Sequence, residues 1–348
     1  MVSLISTSDR RCRTALASCT LPEFTEVQRY VNELQLVQKA LQNLDCDCDI
    51  IPWDQVGVSW EDYDAVIISQ TWDYTADFPK FTSWLKDVSV KSKLINDFPI
   101  LKWSSDKIYL KELADAGVPV VPTVWVDAAD KSSVDVNISK LKTDNGWGPD
   151  RGIIIKPAVA CGSEGILYLQ GGGGIDTDVK EGERAAVHIL SLLAEGQRYL
   201  LIQPFLDAVK TFGEMSVVYI DGSFSHALLK TPSADDFRVQ AEFGGSTRVV
   251  TANEGMLQVC RKVMCVLTDV CKSLGTEPPL YARIDLIPTH TDMALADYFV
   301  CEVELLEPEL FFQDTMDHQC VCDPTLTLDD SYEWSHVRFA KGILKRLT

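Results

Sequence analysis

Two short apolar segments near the end of the chain carry charge in a pattern that ordinary strands avoid. Tyr281-Ala-Arg283-Ile-Asp285 and Cys301-Glu302-Val-Glu304-Leu305 each place two charged residues two positions apart. Alternate side chains of a strand share a face. If the segments pair, Asp285, Glu302 and Glu304 converge with Arg283 on one surface. Carboxylates crowded in this way raise one another's pKa. A hard divalent cation relieves the repulsion, and Mg2+ favours a few carboxylates together with phosphate oxygens. The plainer alternative is a solvated face with scattered salt bridges. Against it stands the apolar strand around Arg283 and Asp285. Alanine at 285 or 302 is therefore expected to stop any metal-dependent turnover with the fold intact.

Four other segments hold candidates. Ile153-Ile-Ile-Lys156-Pro157 ends an apolar run on a lysine, which is costly unless its ammonium meets an anion. The loop behind it, with Gly162, Ser163 and Gly165, can present backbone N–H groups to phosphates and can close as a lid. It lacks the G-x-x-x-x-G-K-[ST] pattern of a P-loop. Gln203-Pro204-Phe205-Leu206 follows a second apolar run, where backbone can meet an adenine edge, with Asp207 or Glu214 for ribose hydroxyls. An ordinary strand end is the alternative there. Lys230 and Arg238 suit clamps on a transferring phosphate. His226 shares a strand face with Lys230 and is a candidate substrate contact, although a lone histidine is more often a hydrogen-bonded core residue. Thr71-Trp72-Asp73-Tyr74 follows a buried run in the first lobe, where open α/β sheets hold ligands. Trp72 and Tyr74 can form an apolar wall and Asp73 can hold an α-amino group; the alternative is ring packing between lobes. Cys161, beside the glycine loop, reads as a packing residue.

The elements that must position these groups fall into three parts. In the first, strands at 13–19, 48–52, 65–69 and 94–96 alternate with helices at 24–44 and 78–88, a small βαβ-type lobe. A helix at 106–116, capped by Ser105 or Asp106 and ended by Gly117, opens the second part. Strands at 120–126, 153–156 and 199–203 and a helix at 185–196 follow, with a flexible loop at Gly171–Gly174 that does not cradle phosphate. The last part reads as antiparallel. Strands at 214–220 and 223–230 flank an Asp221-Gly222 turn, a helix spans 256–274, strands span 281–288 and 298–305, and a helix at 337–347 closes the chain.

Composition sets limits. The 348 residues suffice for two or three lobes. A formal net charge of −19 argues against nucleic acid or an anionic membrane as partner, but not against a nucleotide. No apolar run approaches the ~20 residues that span a bilayer. Arg10, Arg11 and Arg13 give the start a weak resemblance to a targeting peptide; a ragged tail ahead of a first strand is the better reading. The eleven cysteines include C-x-C pairs at Cys46/Cys48 and Cys320/Cys322 without zinc spacing, which fits reduced thiols in a cytoplasmic protein.

In this order, Asp106-Lys107, Lys156-Pro157 with its loop, Gln203–206, Lys230, Arg238, Asp285 and Glu302-Val-Glu304 ahead of Pro308 resemble the ATP-grasp superfamily. The resemblance spans 96–310. Within the superfamily the chain is similar to the group of bacterial glutathione synthetases and D-cycloserine-forming cyclo-ligases, and nearer to the latter. Thr71-Trp72-Asp73-Tyr74, Ser225-His226-Ala227 and Asp236-Phe-Arg238-Val-Gln240 carry that second likeness. An Asn stands in glutathione synthetases where this chain has Glu304, so glutathione synthesis is not the expectation.

The resemblance implies an α/β protein of α+β lobes, with a pre-ATP-grasp βαβ domain at 1–103 and ATP-grasp lobes at 104–205 and 206–348 holding a nucleotide between them. It implies ATP, and two magnesium ions (or manganese in their place) on Asp285, Glu302 and Glu304. Lys107 and Lys156 would hold phosphates, residues 203–206 would frame adenine, and Lys230, Arg238 and Arg283 would stabilise phosphate or acyl phosphate. The expected activity is ATP-dependent ligation of a carboxylate to an amine of amino-acid-like substrates. The alternatives are ring closure within one substrate and a non-catalytic ATP-binding protein. A homodimer or tetramer is a family expectation.

Overall fold

Three separate sheets form, one from each third of the chain. They are seen in a computed structural model that describes residues 10–21, 27–130, 136–172, 175–234, 236–289, 297–317 and 333–348, without the side chains of 175–179. Residues 1–9, residues 24–26 of the expected first helix, Gly173, Gly174 and the Cys320/Cys322 pair lie outside the described residues.

The first sheet is built from β1 (Cys12–Ser18), β2 (Cys46–Pro52), β3 (Ala65–Gln70) and β4 (Lys93–Ile95), all parallel, in the order β2-β1-β3-β4. Two helices join them. Helix α1 (Gln28–Asn43) buries Leu34, Val37 and Leu41 on one stripe. Helix α2 (Phe78–Lys91) buries Phe81, Leu85 and Val88, and Asp77 caps it by accepting from the Lys80 N–H at 3.1 Å.

A short helix α3 (Phe98–Ser104) precedes α4 (Tyr109–Asp115), which falls within the helix expected at 106–116. Asp106 still ties the turn before α4, accepting from the Ile108 N–H at 3.0 Å, and Gly117 ends it with φ +83°. The second sheet holds β5 (Val124–Asp127), β6 (Ile153–Pro157), β7 (Leu167–Leu169) and β8 (Tyr199–Pro204) in the antiparallel order β5-β8-β6-β7. Helices α5 (Ile138–Asp144) and α6 (Ile175–Ala194) belong to this part of the chain. The expected strand at 120–126 is divided: Val120 bridges to Val300 in the third sheet, and pairing within the second sheet starts at Val124.

After a one-turn helix α7 (Ala208–Thr211), the third sheet runs β11-β10-β9-β12-β13. Its strands are β9 (Glu214–Ile220), β10 (Ser223–Thr231), β11 (Ser246–Val250), β12 (Tyr281–Pro288) and β13 (Tyr298–Glu304), all antiparallel. The β9–β10 turn is tight because Asp221 and Gly222 both take positive φ, 49° and 75°. Helix α8 (Glu254–Leu274) is capped by Asn253 and buries Met256, Val263, Leu267 and Cys271. Helices α9 (Phe312–Asp317) and α10 (Ser335–Lys345) return to the first lobe, where Phe312, Phe339 and Ile343 share a core with Leu34 and Leu41 of α1.

Buried polar side chains join the first and third sheets. Asn96 donates to Tyr281 O (3.1 Å) and Leu305 O (2.8 Å) and accepts from the Leu280 N–H (2.7 Å). The Tyr281 hydroxyl donates to Ile68 O at 2.9 Å or Leu306 O at 3.0 Å. Among the described residues, nine cysteines are free thiols and no helix is long and apolar enough to cross a membrane.

Candidate active site

A cleft opens between the second and third sheets and is closed at one end by the loop after β3. Its acidic wall follows from register. On β12 and β13, Arg283 stands opposite Glu304 and Asp285 opposite Glu302. On the other side of β12, Asp285 faces Ser216 of β9, and Glu214 of β9 faces Lys230 of β10. Strand alternation thus brings four strands' charged residues to one face.

Each carboxylate is held on a cation. Asp285, 2 % exposed, accepts from Arg283 Nη2 (2.9 Å), Ser216 Oγ (2.6 Å) and Lys230 Nζ (3.4 Å). Glu304 pairs with Arg283, and Glu214 with Lys230. Glu302 pairs with Lys107 Nζ at 2.9 Å, and that ammonium also donates to Ala160 O at 2.7 Å. Burial opposes ionisation of Asp285, but Arg283 and Lys230 overcome it and hold the acid below the usual carboxylate range. Burial works against Glu302 as well, and Lys107 and Lys156 hold its pKa down. Glu304 goes the other way. Burial, with repulsion from Glu302 and Asp285, outweighs Arg283 and pushes it up to about 8.

Among the described residues no three acidic, His or Cys side chains already surround one point as metal ligands. The lysines and Arg283 stand where a dication's charge is needed. The donor set still fits Mg2+. Glu214, Asp285, Glu302 and Glu304 line the same cleft as Lys107, Lys156, Lys230 and Arg283. These carboxylates already offset the four cations, so a triphosphate entering there brings charge that the cleft does not balance, and hard oxygen donors are on hand for a hard ion.

The opposite wall comes from the second sheet. Lys156, half-buried at the end of β6, lines the cleft and makes no ion pair among the described residues. Behind it Gly162, Ser163 and Gly165 take φ of 59°, 67° and 67°, and the positive φ of Ser163 is unusual for a residue with a Cβ. Gly162 and Ser163 line the cleft. Gly165 sits behind, where a Cβ would meet Pro157 Cγ at 3.1 Å and Leu192 Cδ2 at 3.2 Å. Glu164 reaches across to accept from Thr75 Oγ1 at 2.8 Å. Gln203, Pro204, Phe205 and Leu206 all line the cleft, with Gln203 fixed on Thr123 (2.9 Å) and Phe205 packed on Tyr168 (4.7 Å between ring centres). Arg238 lines it too, held on Asp236 by Nη2 (2.7 Å) and lying 3.5 Å over the Phe243 ring.

Three expected residues are elsewhere. Asp207 lies outside the cleft and pairs with Arg151 at 3.0 Å, whereas Glu214 lines it. Asp73 turns away from the cleft that its neighbours Trp72 and Tyr74 line, and accepts from Trp53 Nε1 at 2.6 Å. His226 is on the Lys230 face as expected, but residues 310–312 lie over it. It is 1 % exposed, and its Nε2 donates to Leu310 O at 2.8 Å. Burial takes its pKa down to about 4. In the unfolded chain it protonates near 6.5, so it draws stability away as pH falls from about 6.5 to 4, by about 3 kcal/mol in full. His226→Phe is expected to flatten that part of the pH–stability curve and leave substrate KM unchanged, as read by urea unfolding and steady-state kinetics.

Other lining residues lay outside the motifs. Arg29 and Tyr30 come from the first turn of α1; Arg29 is held by Glu309, Asp314 (3.2 Å) and Thr247 (2.8 Å), and Tyr30 donates to Glu242 (2.6 Å). An amphipathic helix pattern gives no sign that its first turn faces a cleft. Glu307, three residues past Glu304, had a visible signal in its place just before Pro308.

Two family models match the chain. The N-terminal domain of D-cycloserine synthetase DcsG matches residues 14–96, and the ATP-grasp domain of prokaryotic glutathione synthetase matches 136–275. Cycloserine biosynthesis protein DcsG of Streptomyces lavendulae is 26 % identical over 322 residues, covering 89 % of this chain and 92 % of its own. The crystal structure of D-cycloserine synthetase DcsG superposes with a TM-score of 0.75 at 23 % identity over 97 % of this chain and all of that one. D-alanyl-alanine synthetase A from Vibrio cholerae gives 0.62 at 15 %, over 97 % of each. A glutathione synthetase ATP-grasp model running through the second sheet into the third, on a fold shared end to end with these ligases, makes the chain a member of the ATP-grasp superfamily.

Proposed function

We propose that this ATP-dependent carboxylate–amine ligase activates the carboxylate of an amino-acid-like substrate as an acyl phosphate and passes the acyl group to an amine. The observation that carries the reading is the strand-end Lys156, free of any ion pair among the described residues, in the same cleft as Asp285, Glu302 and Glu304.

A carboxylate does not condense with an amine in neutral water, because oxide is a poor leaving group. Transfer of a γ-phosphoryl group makes phosphate the leaving group. Magnesium bound at such a site neutralises charge on the phosphoryl group as it moves. Glu302, Glu304 and Asp285 would hold it, two ions being the reading and Mn2+ a substitute. Lys107 and Lys156 bind phosphate oxygens. Residues 203–206 frame the base, and Glu214 takes the ribose side. Arg283, Lys230 and Arg238 orient the acyl phosphate and its leaving group. The loop carrying Gly162 and Ser163 closes over the phosphates and excludes water, which would hydrolyse the acyl phosphate. Residues 1–103 act as the pre-ATP-grasp domain, and 104–205 and 206–348 as the two lobes around the nucleotide.

Ring closure within one substrate is the second reading. It is favoured by the similarity over 89 % of the chain to a protein named for cycloserine biosynthesis. ADP release separates the two. Release that needs an added second amine supports joining of two molecules. Release from one substrate carrying both groups supports ring closure. No release from any amino-acid pool with ATP and Mg2+ would sink both.

A further inference from the structure

The carboxylate of Glu307 is the one acid on the cleft wall whose burial is left without a cation. The residue is 7 % exposed and lines the cleft. Among the described residues it makes no ion pair within 4.0 Å and no side-chain hydrogen bond beyond its own backbone N–H. Its neighbours on the wall contrast with it: Glu302 has Lys107, Glu304 has Arg283 and Glu309 has Arg29. A buried acid without an ion-pair partner is expensive, and here burial pushes it up to about 7 against the pull of Lys107, with Glu302 adding repulsion.

The surroundings suit a cation. Trp72 is fixed beside Glu307 by its Nε1, which donates to the Glu307 carbonyl at 3.0 Å. Its ring packs edge-on against Tyr30 with centres 4.7 Å apart. Trp72 and Tyr74 line the cleft from the first lobe, and residues 203–206 line it from the second sheet. A carboxylate beside aromatic rings that line the cleft binds an ammonium group well. The position also places a bound group next to Glu302 and Glu304, where acyl phosphate would form.

We infer that Glu307, with Trp72 and Tyr74, is the subsite for the protonated primary amine of the amino-acid-like substrate. This gives the amino-group role to Glu307 in place of Asp73. It rests on the ligase reading and adds the chemical class that the site selects: a carboxylate substrate that also bears a free cationic amine.

The test uses the full chain with a non-hydrolysable ATP analogue and Mg2+, so that binding is read without turnover. Free amino acids, each beside its N-acetyl derivative, are titrated calorimetrically into wild type and Glu307→Gln. Wild type is expected to prefer the free amine by at least about tenfold, roughly one ion pair in a partly desolvated site, and Glu307→Gln to lose that preference while its affinity for the ATP analogue is unchanged. Equal discrimination by both proteins overturns the inference. So does a wild type that binds both forms alike or neither. ADP release from some other carboxylate would in that case leave the ligase reading standing and remove only the amine subsite. Loss of analogue binding in Glu307→Gln also overturns it, by placing the residue in the nucleotide site.

Discussion

Asp285→Ala is expected to cut ADP production on the order of 10³-fold and to cost the metal-free protein about 3–5 kcal/mol of stability. The two effects have one source. Asp285 is the shared partner of two buried cations, Arg283 and Lys230, and of Ser216. Removing it would strip the site of a proposed magnesium ligand and leave those cations with only Glu304 and Glu214 as carboxylate partners among the described residues. The sequence pattern alone suggested that alanine here spares the fold, because it showed the acids and hid the lysine two strands away. Glu302→Ala is the comparison. Its side chain is 27 % exposed and neutralises one lysine, so its stability cost is smaller while turnover still falls. A coupled ADP assay and urea unfolding, each run with and without Mg2+, read both quantities. Near-normal turnover in Asp285→Ala would refute the metal assignment. Unchanged stability would show that Arg283 and Lys230 find other partners.

Lys156→Met is expected to do the reverse, weakening ATP binding about 100-fold while leaving stability within ~0.5 kcal/mol. Lys156 has no ion pair to lose among the described residues, and its stem is replaced by one of similar length. Its ammonium is therefore held ready for an anion that arrives with the substrate. Fluorescence titration with a labelled ATP analogue measures the first effect and urea unfolding the second. A large loss of stability with intact ATP affinity would make Lys156 structural and remove the main support for the nucleotide site. Lys107→Met contrasts with it: that ammonium is paired with Glu302 and Ala160 O, so its loss falls on stability as well.

The charged strand pair was legible because its signal is local. Arg283, Asp285, Glu302 and Glu304 alternate with apolar residues, and antiparallel pairing then leaves them one place to go. The β9–β10 hairpin was equally readable from Asp221-Gly222 between two apolar runs. Strand β11 was not. Its Ser246, Thr247 and Arg248 are polar, and it forms because β10 offers an open edge. The helix at Phe98–Ser104 was missed because Pro99 reads as a break, though at the first turn it is tolerated. His226 and Asp73 show a different limit. Both were placed on the correct strand or loop, but a segment distant in sequence decides what each meets: Leu310 covers His226, and Trp53 takes Asp73. Arg29 and Tyr30 reach the cleft only through the way α1 packs on residues 309–314.

The side chains of Asn96 and Tyr281 have a consequence for what reactants meet on entering. Four buried hydrogen bonds clamp the first sheet to the third, so prising those two apart would expose several unsatisfied polar groups at once. The middle part of the chain meets that clamped pair through the Val120–Val300 bridge, the Lys107 contacts, the Thr75–Glu164 bond and a core in which Ala158 and Leu201 join Val217 and Ile284. Whatever enters the cleft therefore meets Trp72 and Tyr74 of the first lobe in fixed relation to the acids of β12 and β13.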